Sequence, residues 1–244
     1  MNNNILYYTL FIGITIYGII KNSLQFNPIQ FQCDNYVLNT YLYFILSWAI
    51  IMATTASIKN TNIPLNQLFT GPFTILLIVS SISLLVGLLF ISPRYFFTKH
   101  ILYISLMVLL GITLYPYFQH NKTLFYHIAT TTLIILIMLS LVVYFIPQIV
   151  SESWFSYLFI GLTGVLIARI VELLMVYKNK QVPVFSKWTS YISILLFSLF
   201  IMYDTKKVLV NAENCINPDY INETINLVLD SLHLFRNLYR VNRK

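Results

Sequence analysis

Eight carboxylates and fifteen lysines and arginines supply all the fixed charge in a chain of 244 residues, so each candidate for chemistry can be weighed singly. Asp204 ends the apolar run Ile194–Tyr203, and Asp230 lies in the next helical segment. If these consecutive segments pack antiparallel, the two carboxylates meet. Neighbouring carboxylates withdrawn from water cannot both ionise cheaply, so such a pair shares a proton. It would act as a pH-sensitive latch and, once deprotonated, would offer oxygen ligands to a hard cation such as Ca²⁺. Arg169 and Glu172 lie three residues apart on one helical face, where each can neutralise the other. They read either as a structural ion pair near the membrane boundary or as a share in an ion path. In the last segment Asn222, Asn226, Asp230, His233, Asn237 and Arg240 recur at steps of three and four. That period traces one polar stripe along a helix, opposite Ile221, Ile225, Leu227, Leu229, Leu232 and Phe235. A surface helix would show the same pattern, whereas within a bundle the stripe would line a hydrated path.

The elements that must position these groups follow from the composition. Hydrophobic residues make up 58% of the chain and charged ones 9%, against about 25% charged in an ordinary soluble domain. Too little charge remains to cover a soluble surface, which excludes most soluble enzymes and leaves a polytopic membrane protein. A spanning helix needs about 20 apolar residues. Segments satisfying or approaching that length run Ile5–Ile20, Tyr36–Ala56, Phe73–Ser92, Ile101–Phe118, Leu124–Pro147, Ser153–Val176 and Trp188–Tyr203, followed by the amphipathic Tyr220–Tyr239. The expected fold class is therefore all-α, a polytopic membrane helical bundle. Ile5–Ile20 is expected to be a retained helix rather than a signal peptide, because it has no basic start and no clear cleavage site.

The net charge of +7 does not imply nucleic acid, since no basic surface remains once the spans are removed. The basic residues sit between apolar runs and in the C-terminal cluster Arg236, Arg240, Arg243 and Lys244, as anchors facing anionic lipid do. The side carrying that cluster is the more basic, which leans the C-terminus toward the cytosol. Cys33 and Cys215 fall on one side of the membrane by helix alternation; a disulfide is open to them there, but unpaired thiols are the expectation.

Two blocks, Ser198–Val208 with its Tyr203-Asp204-Thr205-Lys206-Lys207 end and Tyr220–Phe235 with Leu227-Val228-Leu229-Asp230-Ser231-Leu232-His233-Leu234-Phe235, resemble the closing signature of the Bax inhibitor (transmembrane Bax inhibitor motif) family. Gly111-Ile112-Thr113-Leu114-Tyr115-Pro116 is similar to that family's third-helix motif. The additional N-terminal span, together with Ala212-Glu213 and Ile221-Asn222, most resembles the growth-hormone-inducible transmembrane branch. The resemblance implies seven family helices over residues 35–244, preceded by a hydrophobic helix and loop over 1–34. It implies a proton-sensitive Ca²⁺ leak channel or Ca²⁺/H⁺ exchanger that restrains cell death, with Asp204 and Asp230 as gate and pH sensor and as transient Ca²⁺ ligands. It also implies a basic gate partner after the second family helix, for which Arg94 is the nearest match. His233 stands where the signature usually has Asn, and Phe73–Ser92 carries no acid where some members have Glu.

Ca²⁺ and H⁺ enter as transported ions, and no cofactor is expected. The alternative function is an anti-apoptotic interaction protein that works through membrane partners without transport. An intramembrane hydrolase is not expected: His100, His120, His127 and His233 show no paired ligand spacing, and no GxSxG elbow is present. The expected partners are the lipid bilayer and membrane proteins of cell-death pathways. The expected host is the mitochondrial inner membrane or the endoplasmic reticulum and Golgi.

Overall fold

The computed structural model describes residues 3–26, 29–58, 71–177 and 183–243. The connections at 60–64 and 178–180 lie outside them. Among the described residues eight α-helices follow in order: α1 (Asn3–Ser23), α2 (Tyr36–Ile58), α3 (Gly71–Phe90), α4 (Phe96–His120), α5 (Lys122–Phe145), α6 (Trp154–Tyr177), α7 (Pro183–Glu213) and α8 (Tyr220–Asn242). Six of these, α2 to α7, are long and apolar enough to cross a membrane. In α1 the ends are polar, with Asn3, Asn4, Lys21 and Asn22, and in α8 the polar stripe lowers the hydropathy.

Two features depart from the sequence reading. A short antiparallel hairpin, β1 (Leu24–Phe26) and β2 (Ile29–Phe31), follows α1, pairing Leu24 with Phe31 and Phe26 with Ile29. Three-residue strands are too short to show an alternation. The second departure is α7, which continues to Glu213, so Asp204 lies inside a helix and does not terminate one. No Gly or Pro interrupts Thr205–Glu213, and the lysines there are good helix formers.

The helices form two compact units. The first comprises residues 1–122 and 212–225. Here α2 packs along both α1 and α4, and α3 packs along α4. α3 buries only Leu77 and Leu88 and exposes Ile75, Leu76, Ile78, Val79, Ile82 and Leu89, as a lipid-facing helix does. At the α2–α4 contact a Cβ on Gly111 would stand 2.8 Å from the Ile51 carbonyl oxygen and 2.8 Å from Thr54 Cβ. The backbones approach this closely only without that atom, and Thr55 Oγ1 spans the gap to the Gly111 carbonyl at 2.8 Å. A disulfide joins Cys33 to Cys215, in place of the expected free thiols. Tertiary packing decides that pairing, because it brings together two segments 182 residues apart.

The second unit comprises residues 123–211 and 226–244. Val143, Val150 and Met202 form a buried cluster against Leu139, Trp154, Leu199, Tyr203 and Leu209. Ser140 Oγ and Thr205 Oγ1 are 3.1 Å apart across α5 and α7. Phe125 and Phe235 meet edge to face at 5.2 Å, tying α5 to α8. Leu196 of α7 packs where a Cβ on Gly161 of α6 would be, at 2.8 Å.

The Gly111 contact yields a test. Gly111→Ala is expected to destabilise the protein by about 1–3 kcal/mol, since α2 and α4 must separate to admit the methyl. Gly13→Ala, where nothing lies within 4 Å, is expected to leave stability unchanged or slightly raised. Thermal unfolding of both variants in one detergent measures the difference.

Candidate functional site

In the second unit α7 carries Asp204 and α8 carries Asp230, and the Asp204 carboxyl lies near enough to act on the charge of Asp230. Each residue is half-buried. Asp230 Oδ2 is buried and has no hydrogen-bond partner. Two neighbouring carboxylates oppose each other's ionisation. Two such charges 4 Å apart repel by about 4 kcal/mol at an effective dielectric of 20.

The same unit holds the second ionised group of the sequence reading. Arg169 Nη1 donates to Glu172 Oε2 at 2.6 Å, one turn away on α6. Its Nη2 reaches Ser190 Oγ of α7 at 2.9 Å and Asn237 Oδ1 of α8 at 2.6 Å. One guanidinium thereby holds three helices together, because its fixed fork can serve several acceptors at once.

The polar stripe on α8 is less enclosed than its opposite face. Ile221, Ile225, Leu227, Leu232 and Phe235 are at most 1% exposed, while Asn222 and Asn226 are half-buried and His233 is exposed. Of the stripe, Asn237 is the member buried outright, at 6%, in its bond to Arg169. His233 stacks flat on Phe197, with ring centroids 4.5 Å apart. Hydrophobic burial therefore orients this helix, and the stripe lies along the edge of the contact. Arg94, the expected gate partner, is exposed in the turn between α3 and α4, where its backbone N–H approaches Ser92 Oγ at 3.4 Å.

The buried cation of that region is Lys99. It reads in the sequence as a loop anchor, yet its side chain is fully buried in the first unit. Its Nζ donates to the Ile91 carbonyl at 2.8 Å, capping the end of α3, and forms an ion pair with Asp219 Oδ2. The other oxygen, Asp219 Oδ1, accepts the Asn222 backbone N–H at 3.2 Å, which makes Asp219 the N-cap of α8. An Asp directly before a helical run is a legible cap signal. Its lysine, 120 residues earlier, has no local signature. Beside the pair, Tyr220 donates its hydroxyl to the Gln32 carbonyl, and Asn39 Nδ2 approaches the same hydroxyl at 3.4 Å. Thr224 Oγ1 reaches the Thr40 carbonyl at 3.0 Å. With the Cys33–Cys215 bridge, these contacts fix the start of α8 to the start of α2.

Among the described residues no group of three His, Cys, Asp or Glu side chains comes close enough to hold a metal ion together. Apolar spanning helices with ionisable side chains held in pairs define a multi-pass membrane protein of helical-bundle architecture. Residues 33–242 match the family described as Inhibitor of apoptosis-promoting Bax1, and the chain belongs to that family. No curated protein matches the chain.

Because Lys99 is sealed from water, Lys99→Met is expected to cost about 3–5 kcal/mol by stranding the Asp219 carboxylate. Asp219→Asn should cost a similar amount, and the double variant should recover much of the loss. A double-mutant cycle on unfolding in detergent measures that coupling.

Proposed function

We propose that the protein is a pH-sensitive Ca²⁺ leak channel or Ca²⁺/H⁺ exchanger whose gate is the Asp204–Asp230 pair, and that through Ca²⁺ it modulates cell death. The observation that carries this reading is the buried, unpartnered Oδ2 of Asp230 on α8, with the Asp204 carboxyl of α7 near enough to act on it. On this reading a proton shared by the two groups holds α7 against α8. Deprotonation turns attraction into repulsion and creates two adjacent anionic ligands. A divalent cation relieves that repulsion and so competes with the proton for the same oxygens. The sign follows: Ca²⁺ binding releases a proton, so Ca²⁺ affinity rises with pH and falls on acidification. Membership of the Bax inhibitor-like family supports the link to cell death. On this reading the protein moves ions and catalyses no reaction.

The Cys33–Cys215 bridge supports placing its face of the membrane in an oxidising compartment. An endoplasmic reticulum or Golgi membrane with this face in the lumen meets that condition and agrees with a cytosolic C-terminus.

Reconstitution in liposomes with a Ca²⁺ indicator tests the gate. Wild-type protein is expected to pass Ca²⁺ at a rate that changes across pH 5–8. Asp230→Asn, which keeps the size of the side chain but has no titrating proton, is expected to flatten that dependence and lower Ca²⁺ binding about tenfold. Unchanged flux and unchanged pH dependence in Asp230→Asn would overturn the gate. Protection of stressed cells that survives loss of both carboxylates would instead support an interaction protein without transport.

A further inference from the structure

The first unit contains a cavity of about 550 Å³ among α1, α2 and α4 that no part of the transport reading uses. α1 lines it with Ile12, Ile16, Ile19 and Ile20, whose i, i+4, i+7 and i+8 spacing puts them on one helical face. α2 contributes Tyr43, Leu46 and Ile50, and α4 contributes residues between Phe96 and Ile104. α2 packs along both α1 and α4, and its Tyr43 and Leu46 are buried at the cavity floor. The exposed lining residues are Ile16 and Ile20 of α1 and Phe97 and Ile104 of α4, so the cavity opens between those two helices.

The polar side-chain atoms of the lining are already bonded inside the protein. His100 Nδ1 donates to the Phe96 carbonyl at 2.8 Å, which leaves Nε2 to accept the Tyr43 hydroxyl at 2.8 Å. The Tyr103 hydroxyl donates to the Tyr43 carbonyl at 2.9 Å and lies 2.7 Å from Ser47 Oγ. The surface they leave is wholly apolar. Water finds no partner in such a cavity, which stays dry, and a void of that size would forfeit the dispersion contacts of its walls. Hydrocarbon is the remaining occupant, and the mouth faces a source of it. α4 is apolar enough to span a membrane, and α1 exposes Leu10, Phe11 and Ile14 as a lipid-facing helix does. The cavity begins at the helix ends, since Phe96 opens α4 and Ile20 stands in the last turn of α1. From there it runs to Ile104 and Ile12, about 12 Å along each helix at 1.5 Å per residue. One leaflet of a bilayer is hydrocarbon to a depth of about 15 Å.

We propose that this cavity holds one acyl chain of a membrane glycerophospholipid, with the glycerol and headgroup outside, at the ends of α1 and α4. A quinone ring or a sterol nucleus carried into it would bring an oxygen that no lining atom can pair, whereas an acyl chain brings none. The chain fills the space between α1 and α4 and so joins α1 to the rest of the unit. α1 precedes residues 33–242, the part that matches the family, so its wall of the cavity lies outside that match.

The test uses the full chain purified in mild detergent, stripped of lipid and then given dioleoylphosphatidylcholine, oleic acid or cholesterol. Native mass spectrometry and thermal unfolding are the readouts. The phospholipid is expected to remain as a single adduct and to raise the Tm of the stripped protein by a few degrees. Ile16→Trp and Ile104→Trp each put a larger apolar side chain into the cavity, from α1 and from α4, at positions 41% and 47% exposed and so tolerant of the change. Each is expected to raise the Tm of the stripped protein and to lower retention of the adduct about tenfold. Ile75→Trp, at an exposed position of α3 outside the cavity, is expected to keep the adduct. Full retention in either cavity-filling variant, equal loss in Ile75→Trp, or no adduct on the wild-type chain would overturn the site. Oleic acid or cholesterol held as firmly as the phospholipid would overturn the phospholipid assignment.

Discussion

A charge placed in a layer without water has to be neutralised where it stands, because an isolated buried ion costs several kcal/mol even after the protein relaxes around it. Three ionisable groupings here meet that demand in three ways. Lys99 takes a carboxylate from a segment 120 residues away. Arg169 takes one from the next turn of its own helix and adds a serine and an asparagine from two other helices. Asp204 has a second carboxyl, Asp230, near enough to act on its charge. The first two groupings are neutral as they stand, whereas the third sets two groups of the same sign against each other, which a shared proton would neutralise on the proposed reading.

Helix α8 takes part in all three. Asp219 caps it while holding Lys99, Asp230 lies near Asp204, and Asn237 meets Arg169. This is the physical reason that α8 falls short of the hydropathy of a spanning helix. Its polar groups serve other helices: Asp219 at its cap neutralises Lys99, and Asn237 adds an acceptor to an Arg169 already paired with Glu172. The same helix still buries Ile221, Ile225, Leu227, Leu232 and Phe235 almost completely. Hydrophobic burial therefore sets its rotation, and the polar contacts are made along its flanks.

The helices were legible in the sequence because apolar runs of spanning length have few other uses, and their order agrees with α1 to α8 among the described residues. The pairing of Arg169 with Glu172 was legible too, since i,i+3 spacing puts two side chains on one face wherever the helix lies. Arg94 shows the limit of such reading: proximity to a motif in the sequence marked it, and in the fold it is an exposed turn residue while Lys99, five positions on, is buried. The disulfide falls under the same limit, because spacing along a chain carries no information about contact between distant loops.

From its sequence alone this protein had to be a bundle of membrane-crossing helices with a small set of ionisable residues to account for, because composition and local periodicity act through the backbone within a few turns. The tertiary structure decided which of those residues meet: Lys99 with Asp219, Cys33 with Cys215, Arg169 with Asn237. Each of these contacts joins residues from different helices or loops, and side-chain packing between helices, which no single stretch of sequence encodes, brings them within bonding distance.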